Sequence, residues 1–250
     1  MDTTETPRQA PPAALGPGNL LKDAFRPRVI EAWARRLQGL DPSFDQPSFL
    51  KAVFQGWDDL SFGARSVRIA DALERHLPPD FPTAASLLVQ ALDEPLGPEE
   101  LAPLDRFYVM AQGAWVARRG RREADFDTTA AALRALTRRF SAEGDLRVLF
   151  DIDPVRALDL LQAWTADPDP HVRRLVSEGT RPRLPMAPRW RRFENDPEPI
   201  LELLEGLKDD PSLYVRRSVA NHLNDGAKDH PDRIAALLER WSEGATPQRE

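Results

Sequence analysis

Cysteine is absent from the 250 residues of this sequence. Disulfides and cysteine-ligated zinc are therefore excluded. Histidine is sparse: His76, His171, His222 and His230 are scattered, and none falls in an H-E-x-x-H spacing. The expectation is no metal and no cofactor. No run is apolar for long enough to cross a bilayer, and no basic start leads into an apolar run as in a secretory signal. No stretch alternates apolar and polar residues between turn signals, so strands are not expected. A cytoplasmic protein without a membrane partner is the default reading.

What is present is helical periodicity. Residues 1–19 are rich in Pro, Thr and Ala and read as a disordered tail. Residues 20–250 read as one all-α unit. Amphipathic patterns predict helices over 28–40, 48–57, 61–77, 83–92, 104–119 and 128–140. The first places Val29, Ile30, Trp33 and Leu37 on one face; the third places Val67, Ile69, Leu73 and Leu77 together. Further helices are predicted over 155–166, 170–178, 197–207, 212–223 and 231–241. Trp33, Trp57, Trp115 and Trp164 fall on apolar faces and read as core.

The last five helices carry an internal repeat. Asp153-Pro154 returns as Asp196-Pro197. Asp167-Pro168 with Val172-Arg173-Arg174 returns as Asp210-Pro211 with Val215-Arg216-Arg217. The offset is 43 residues throughout, giving repeats 153–195 and 196–238. That period marks a HEAT-like two-helix solenoid. Stacked helix pairs offer a curved open face rather than a closed pocket. Asp-Pro pairs are helix-start signals, with Asp as cap and Pro in the first turn.

Charge is segregated along the chain. The net charge is −6. Between His171 and Arg192, however, lie Arg173, Arg174, Arg181, Arg183, Arg189, Arg191 and Arg192 against a single acid, Glu178. A local basic stripe can bind phosphates despite an acidic total. The alternative is a solvated face of internal ion pairs. In such solenoids the second helix of each pair lines the concave side, so the stripe is expected there. One arginine of each pair can reach Asp167 or Asp210 while the other faces the groove. Arg174 and Arg217 are the candidates for phosphate contact, with Arg181, Arg183 and Lys228 in loops.

The string from His171 to Pro185, with Ser177-Glu178-Gly179 and Arg181-Pro182-Arg183, resembles the AlkC-type DNA alkylation-repair family. Tyr214 to Asn221 and Lys228 to Pro231 continue the resemblance, as do Ser66 to Leu73 and His76 to Pro82 upstream. It covers roughly residues 20–243. Members are HEAT-like glycosylases that remove 3-methyladenine without swinging the base into a pocket. The resemblance implies duplex DNA with alkylated bases as partner, and a nucleoid-associated place in the cell.

It also implies site residues. Glu178 matches the family's Ser-Glu-Gly glutamate and becomes a catalytic carboxylate; otherwise it is an ion pair ordering the turn that follows. Glu143 and Arg147 match a Glu-Phe-Ala-Ile-Arg motif, which here reads Glu143-Gly144-Asp145-Leu146-Arg147. Glu143 is the second catalytic candidate; otherwise it is an acid at the positive end of a helix. Asp145 is an added acid. The family's site tryptophan is replaced by Met186. Trp190 either covers the same region or packs beside Arg189. The implied activity is hydrolysis of the N-glycosidic bond of N3-alkylated adenine. The alternatives are a catalytically diverged binder of damaged DNA and a protein-binding scaffold.

Overall fold

The computed structural model describes residues 21–98 and 100–245, and the expected tail lies outside them. The described residues form twelve α-helices linked by short turns and four 3₁₀ segments, with no strand. In chain order they are α1 (Pro27–Leu40), α2 (Gln46–Phe54), α3 (Phe62–His76), α4 (Phe81–Gln90), α5 (Tyr108–Arg119) and α6 (Phe126–Thr137). There follow α7 (Arg147–Ile152), α8 (Pro154–Trp164), α9 (Pro170–Gly179), α10 (Glu198–Glu205), α11 (Leu213–Gly226) and α12 (Pro231–Ser242). None is long and apolar enough to cross a membrane.

Capping explains the starts. Asp45, Asp80, Asp153 and Asp169 each accept a hydrogen bond from a first-turn backbone N–H, and each is followed by Pro in the first turn. A side-chain cap of this kind contributes about 1 kcal/mol. Asp153 also ends α7, so two helices meet at one residue. The other aspartates of the repeat, Asp167 and Asp210, sit in the turns before α9 and α11 and accept from the backbone of Asp169 and Ser212.

Those turn aspartates also bind the layers together. Arg134 on α6 donates to Asp167, Arg138 to Asp169, and Arg173 on α9 to both oxygens of Asp210. Each inner helix therefore grips the turn that introduces a later one. α9 packs closely on α11, and α3 on α5. Between these stacks stands α7, six residues long, which packs mainly on α6 and α8. The inner layer is thin at this point, and a cleft opens there.

The four tryptophans expected in the core are buried. Trp33 meets Phe49 and Tyr108 at ring centroids 5.9 and 5.3 Å apart. An aromatic file runs Phe25–Phe62–Phe107–Phe140 with centroids 5.2, 5.4 and 4.8 Å apart, and its far end reaches the cleft. Two sequence expectations fail. Val67, placed on the buried face of α3, is 56% exposed. Its turn instead buries Arg65, whose guanidinium lies 4.6 Å from the Trp57 ring centre and donates to the Lys22 carbonyl. Helix α7 was not expected, because six residues carry too little periodicity to register.

Candidate active site

The cleft has a volume of about 760 Å³. α3 and α5 supply one wall, with Ser66, Met110 and Ala114. α9 supplies the other, with Arg174 and Glu178. The turn before α7 brings Glu143 and Asp145, and the loop after α9 closes the rim with Met186 and Trp190. The two glutamates singled out in the sequence thus line one cavity.

Gly179 explains how their segments meet. A Cβ there would lie 2.5 Å from Leu146 Cδ2 and 3.3 Å from the Glu143 carbonyl oxygen. A side chain there would displace Leu146 and crowd the Glu143 carbonyl, so glycine eases the close approach of the end of α9 to the turn that carries Glu143. Arg174 then bridges the carboxylates. Its Nη1 donates to Glu143 Oε1 at 2.5 Å, and its Nη2 lies 3.8 Å from Glu178 Oε1. The guanidinium also stacks 4.8 Å from the Tyr214 ring centre. Burial opposes its charge, but Glu143, Tyr214 and Glu178 outweigh burial and hold Arg174 above its ordinary pKa.

Glu178 is 5% exposed and fully engaged. Arg181 Nη1 donates to Oε1 and Ser218 Oγ to Oε2, both at 2.6 Å. Arg181 also donates from Nε to Asp225 at 2.9 Å. Burial again opposes the guanidinium charge, and Asp225 with Glu178 raises its pKa all the same. Deeper still, His222 is bonded from Nδ1 to the Ser177 carbonyl. Burial pushes its pKa down to about 4, so the ring is neutral and Nδ1 carries the proton.

The other candidates divide by position. Arg147 lines the cleft, yet its fork is spent on the chain itself. It donates to the Pro188 and Arg181 carbonyls at 2.7 and 2.8 Å and lies 5.2 Å from the Trp190 ring centre. Trp190 is half-buried, edge-on to Phe150 and Phe193, so it both packs and forms cleft wall. Met186 is 69% exposed at the rim with φ +62°, a left-handed conformation unusual for a side-chain-bearing residue. Arg183 and Arg189 both donate to Asp229, stapling the rim loop to the turn after α11. Lys228 is exposed beside Asp225. Arg217 stands apart: it lines a separate groove of about 260 Å³ with Arg216, Leu238 and Trp241.

Much of the arginine stripe is therefore neutralised by carboxylates. Arg191 faces Glu194 and Arg192 faces Asp151. The partners that bury Glu178 (Ser218, Asp225 and, through Arg174, Tyr214) were not found from the sequence. They lie on the next repeat, 36 to 47 positions ahead.

Asp145 differs from its neighbours. Among the described residues its carboxyl accepts no hydrogen bond and pairs with no cation. Burial, and then the charge of Glu143, push its pKa up to about 7. The folded state thus holds a proton that the unfolded chain releases near pH 4. Stability contributed by that proton is complete below pH 4 and is lost as pH rises to about 7. Asp145→Asn should match the native protein in urea denaturation at pH 4 and exceed it by about 4 kcal/mol at pH 8. A variant that is weaker at pH 8 would contradict this reading.

No protein-family model matches the chain. A Bacillus subtilis (strain 168) protein, described as uncharacterized protein YhaZ, is 31% identical over 222 residues, covering 88% of this chain and 59% of the relative. Among solved structures, Pseudomonas fluorescens alkylpurine DNA glycosylase AlkC, bound to DNA containing an abasic site analog, is 37% identical with a TM-score of 0.80. The match covers 92% of this chain and 61% of that one.

The resemblance to the AlkC-type family holds. It is a resemblance of sequence and of fold, and it makes the architecture a HEAT-like helical solenoid. The chain spans about three-fifths of the length of these two relatives.

Proposed function

We propose that the chain is a DNA glycosylase of base excision repair, hydrolysing the bond between deoxyribose and N3-alkylated adenine in duplex DNA. One observation carries the reading. Glu143 and Glu178 line the same open cleft, tied by Arg174, in a chain that shares its fold with a DNA-bound alkylpurine glycosylase.

The chemistry suits that arrangement. An alkylated adenine is already cationic and leaves as a neutral base. The difficulty lies in the sugar, which gains positive charge as the bond to the base stretches. Fixed carboxylates near that charge stabilise the transition state without any reorganisation. Glu178 is held by Arg181 and Ser218, and Glu143 by Arg174, so both anions are preorganised. An open cleft admits a deoxyribose edge while the base stays stacked, so no base-flipping pocket is required. No cofactor enters this scheme. Phosphate contacts fall to Arg217 and Lys228, which are exposed, because Arg174 and Arg183 are already held by Glu143 and Asp229. The reading places the protein in the cytoplasm, on the nucleoid.

The test is release of free 3-methyladenine from methylated duplex DNA under single-turnover conditions. Release well above the spontaneous rate is expected, and none at high protein concentration would reject the proposal. A second reading has its own support. Met186 stands, exposed, where the family has a site tryptophan, and Met offers no rigid aromatic face. A diverged binder would hold duplex DNA with a steep salt dependence and release nothing.

A further inference from the structure

The cleft is lined by four carboxyl groups: Glu143, Asp145, Asp151 and Glu178. Three of them face arginine. Glu143 accepts from Arg174, Glu178 from Arg181, and Asp151 lies 3.5 Å from Arg192 and 3.7 Å from Arg121. The Asp145 carboxyl alone has no hydrogen bond and no ion pair among the described residues. Its position is built by a second residue. A Cβ on Gly113 of α5 would lie 2.1 Å from Asp145 Oδ2 and 3.0 Å from its Cγ. The absence of a side chain on α5 is what makes room for this carboxyl on the cleft wall.

We propose that Asp145 is the general base of the hydrolysis, taking the proton of the water that attacks C1′, with Glu143 and Glu178 acting as fixed anions. The inference rests on the glycosylase reading. As the C1′–N9 bond breaks, its electron pair neutralises the cationic base. The water oxygen bonds to C1′, and one water proton passes to the Asp145 carboxylate. The products are a neutral methyladenine, an abasic sugar and a protonated Asp145, which later gives its proton to solvent.

The role suits Asp145 better than either glutamate. Both oxygens of Glu178 accept hydrogen bonds and Glu143 accepts one from Arg174, whereas the Asp145 carboxyl accepts none and leaves all its lone pairs free for the water. A base also works best when its pKa is near the working pH. Asp145 is pushed up to about 7, by burial first and Glu143 second. The groups around it are accounted for. α5 and α3 present Met110, Gly113, Ala114 and Ser66, none of them charged. α7 presents Arg147, whose Nη1 and Nη2 are directed to the carbonyls of Pro188 and Arg181. α9 presents Arg174 and Glu178, and the rim presents Arg189, paired with Glu194 and Asp229.

The experiment is a pH–rate profile of single-turnover 3-methyladenine release, with duplex affinity measured beside it. Wild-type release should rise as pH passes through about 7 and then level off. Asp145→Asn should lose about 100-fold at pH 8 and lose the rise, with duplex affinity within about twofold. Gly113→Ala, which forces the carboxyl out of its place, should lower the rate in the same direction while leaving the acid present. The inference is overturned if Asp145→Asn keeps its rate within about threefold and keeps the pH rise. It is also overturned if the lost rate is matched by lost duplex binding. A wild-type protein that releases no base overturns the glycosylase reading and this inference together. A wild type that does release base, beside an unaffected Asp145→Asn, overturns this inference alone.

Discussion

Arg181→Ala should lower the free energy of unfolding by about 3–5 kcal/mol, read from the urea midpoint at unchanged slope. The magnitude follows from what the substitution leaves behind. Glu178 and Asp225 are 5% and 4% exposed, and Arg181 donates to both. Without the guanidinium, Glu178 keeps Ser218 and a distant Arg174, and Asp225 keeps only Lys228, 3.3 Å away and itself mostly exposed. Two carboxylates would then stand in a poorly solvated interior with little compensation. Such a pair adds little net stability while intact, since desolvation offsets most of the attraction. It becomes costly only when one partner goes. Arg192→Ala is the contrast: its 3.5 Å pair with half-exposed Asp151 should matter by less than about 0.5 kcal/mol. An Arg181→Ala protein within 1 kcal/mol of the native one would mean that water reaches this network.

Glu178→Gln should abolish most base release, with a fall of about 10²–10³-fold in the single-turnover rate. The amide is close in shape to the carboxylate. Its oxygen can still accept from Arg181, and its other end still meets Ser218, so the fold should lose only about 1–2 kcal/mol. What disappears is a full negative charge beside the sugar. Electrostatic stabilisation depends on that charge, whereas packing does not. A large loss of rate beside so modest a loss of stability is therefore the signature of a catalytic anion. A rate within threefold of native, with clear destabilisation, would reduce Glu178 to an anchor for Arg181 and the loop behind it.

Much of the fold was legible in the sequence, for reasons that can be named. The 43-residue offset and the Asp-Pro caps are local signals, and Asp153 and Asp169 cap as expected. The buried tryptophans follow from helical periodicity. Helix α7 was lost because it has no side-chain cap of its own and hands over at Asp153 after six residues. Val67 was misplaced because the face of α3 was read from apolar residues alone. That face in fact contains Arg65, an amphipathic residue that lies over Trp57.

The site was legible in part. The spacing of Glu143 and Glu178, read through the family resemblance, brought both to one cleft. Gly179 could have been read more closely: a glycine at a helix end beside a catalytic candidate signals a close approach of backbone. The company that Glu178 keeps was not readable. Ser218 and Asp225 become its neighbours only once α9 and α11 are set in register, and the repeat period does not fix rotation about each helix axis. The fate of the arginines was hidden for the same reason. A stripe that looked basic along the chain proves to be largely matched, residue for residue, by acids from neighbouring turns.

The pairing of Arg134 with Asp167, Arg138 with Asp169, and Arg173 with Asp210 has a mechanical consequence. These rungs cross from one storey to another instead of closing within it. Loosening α9 therefore releases charged contacts on both of its sides, toward α6 and toward α11, so these layers should open together rather than one at a time.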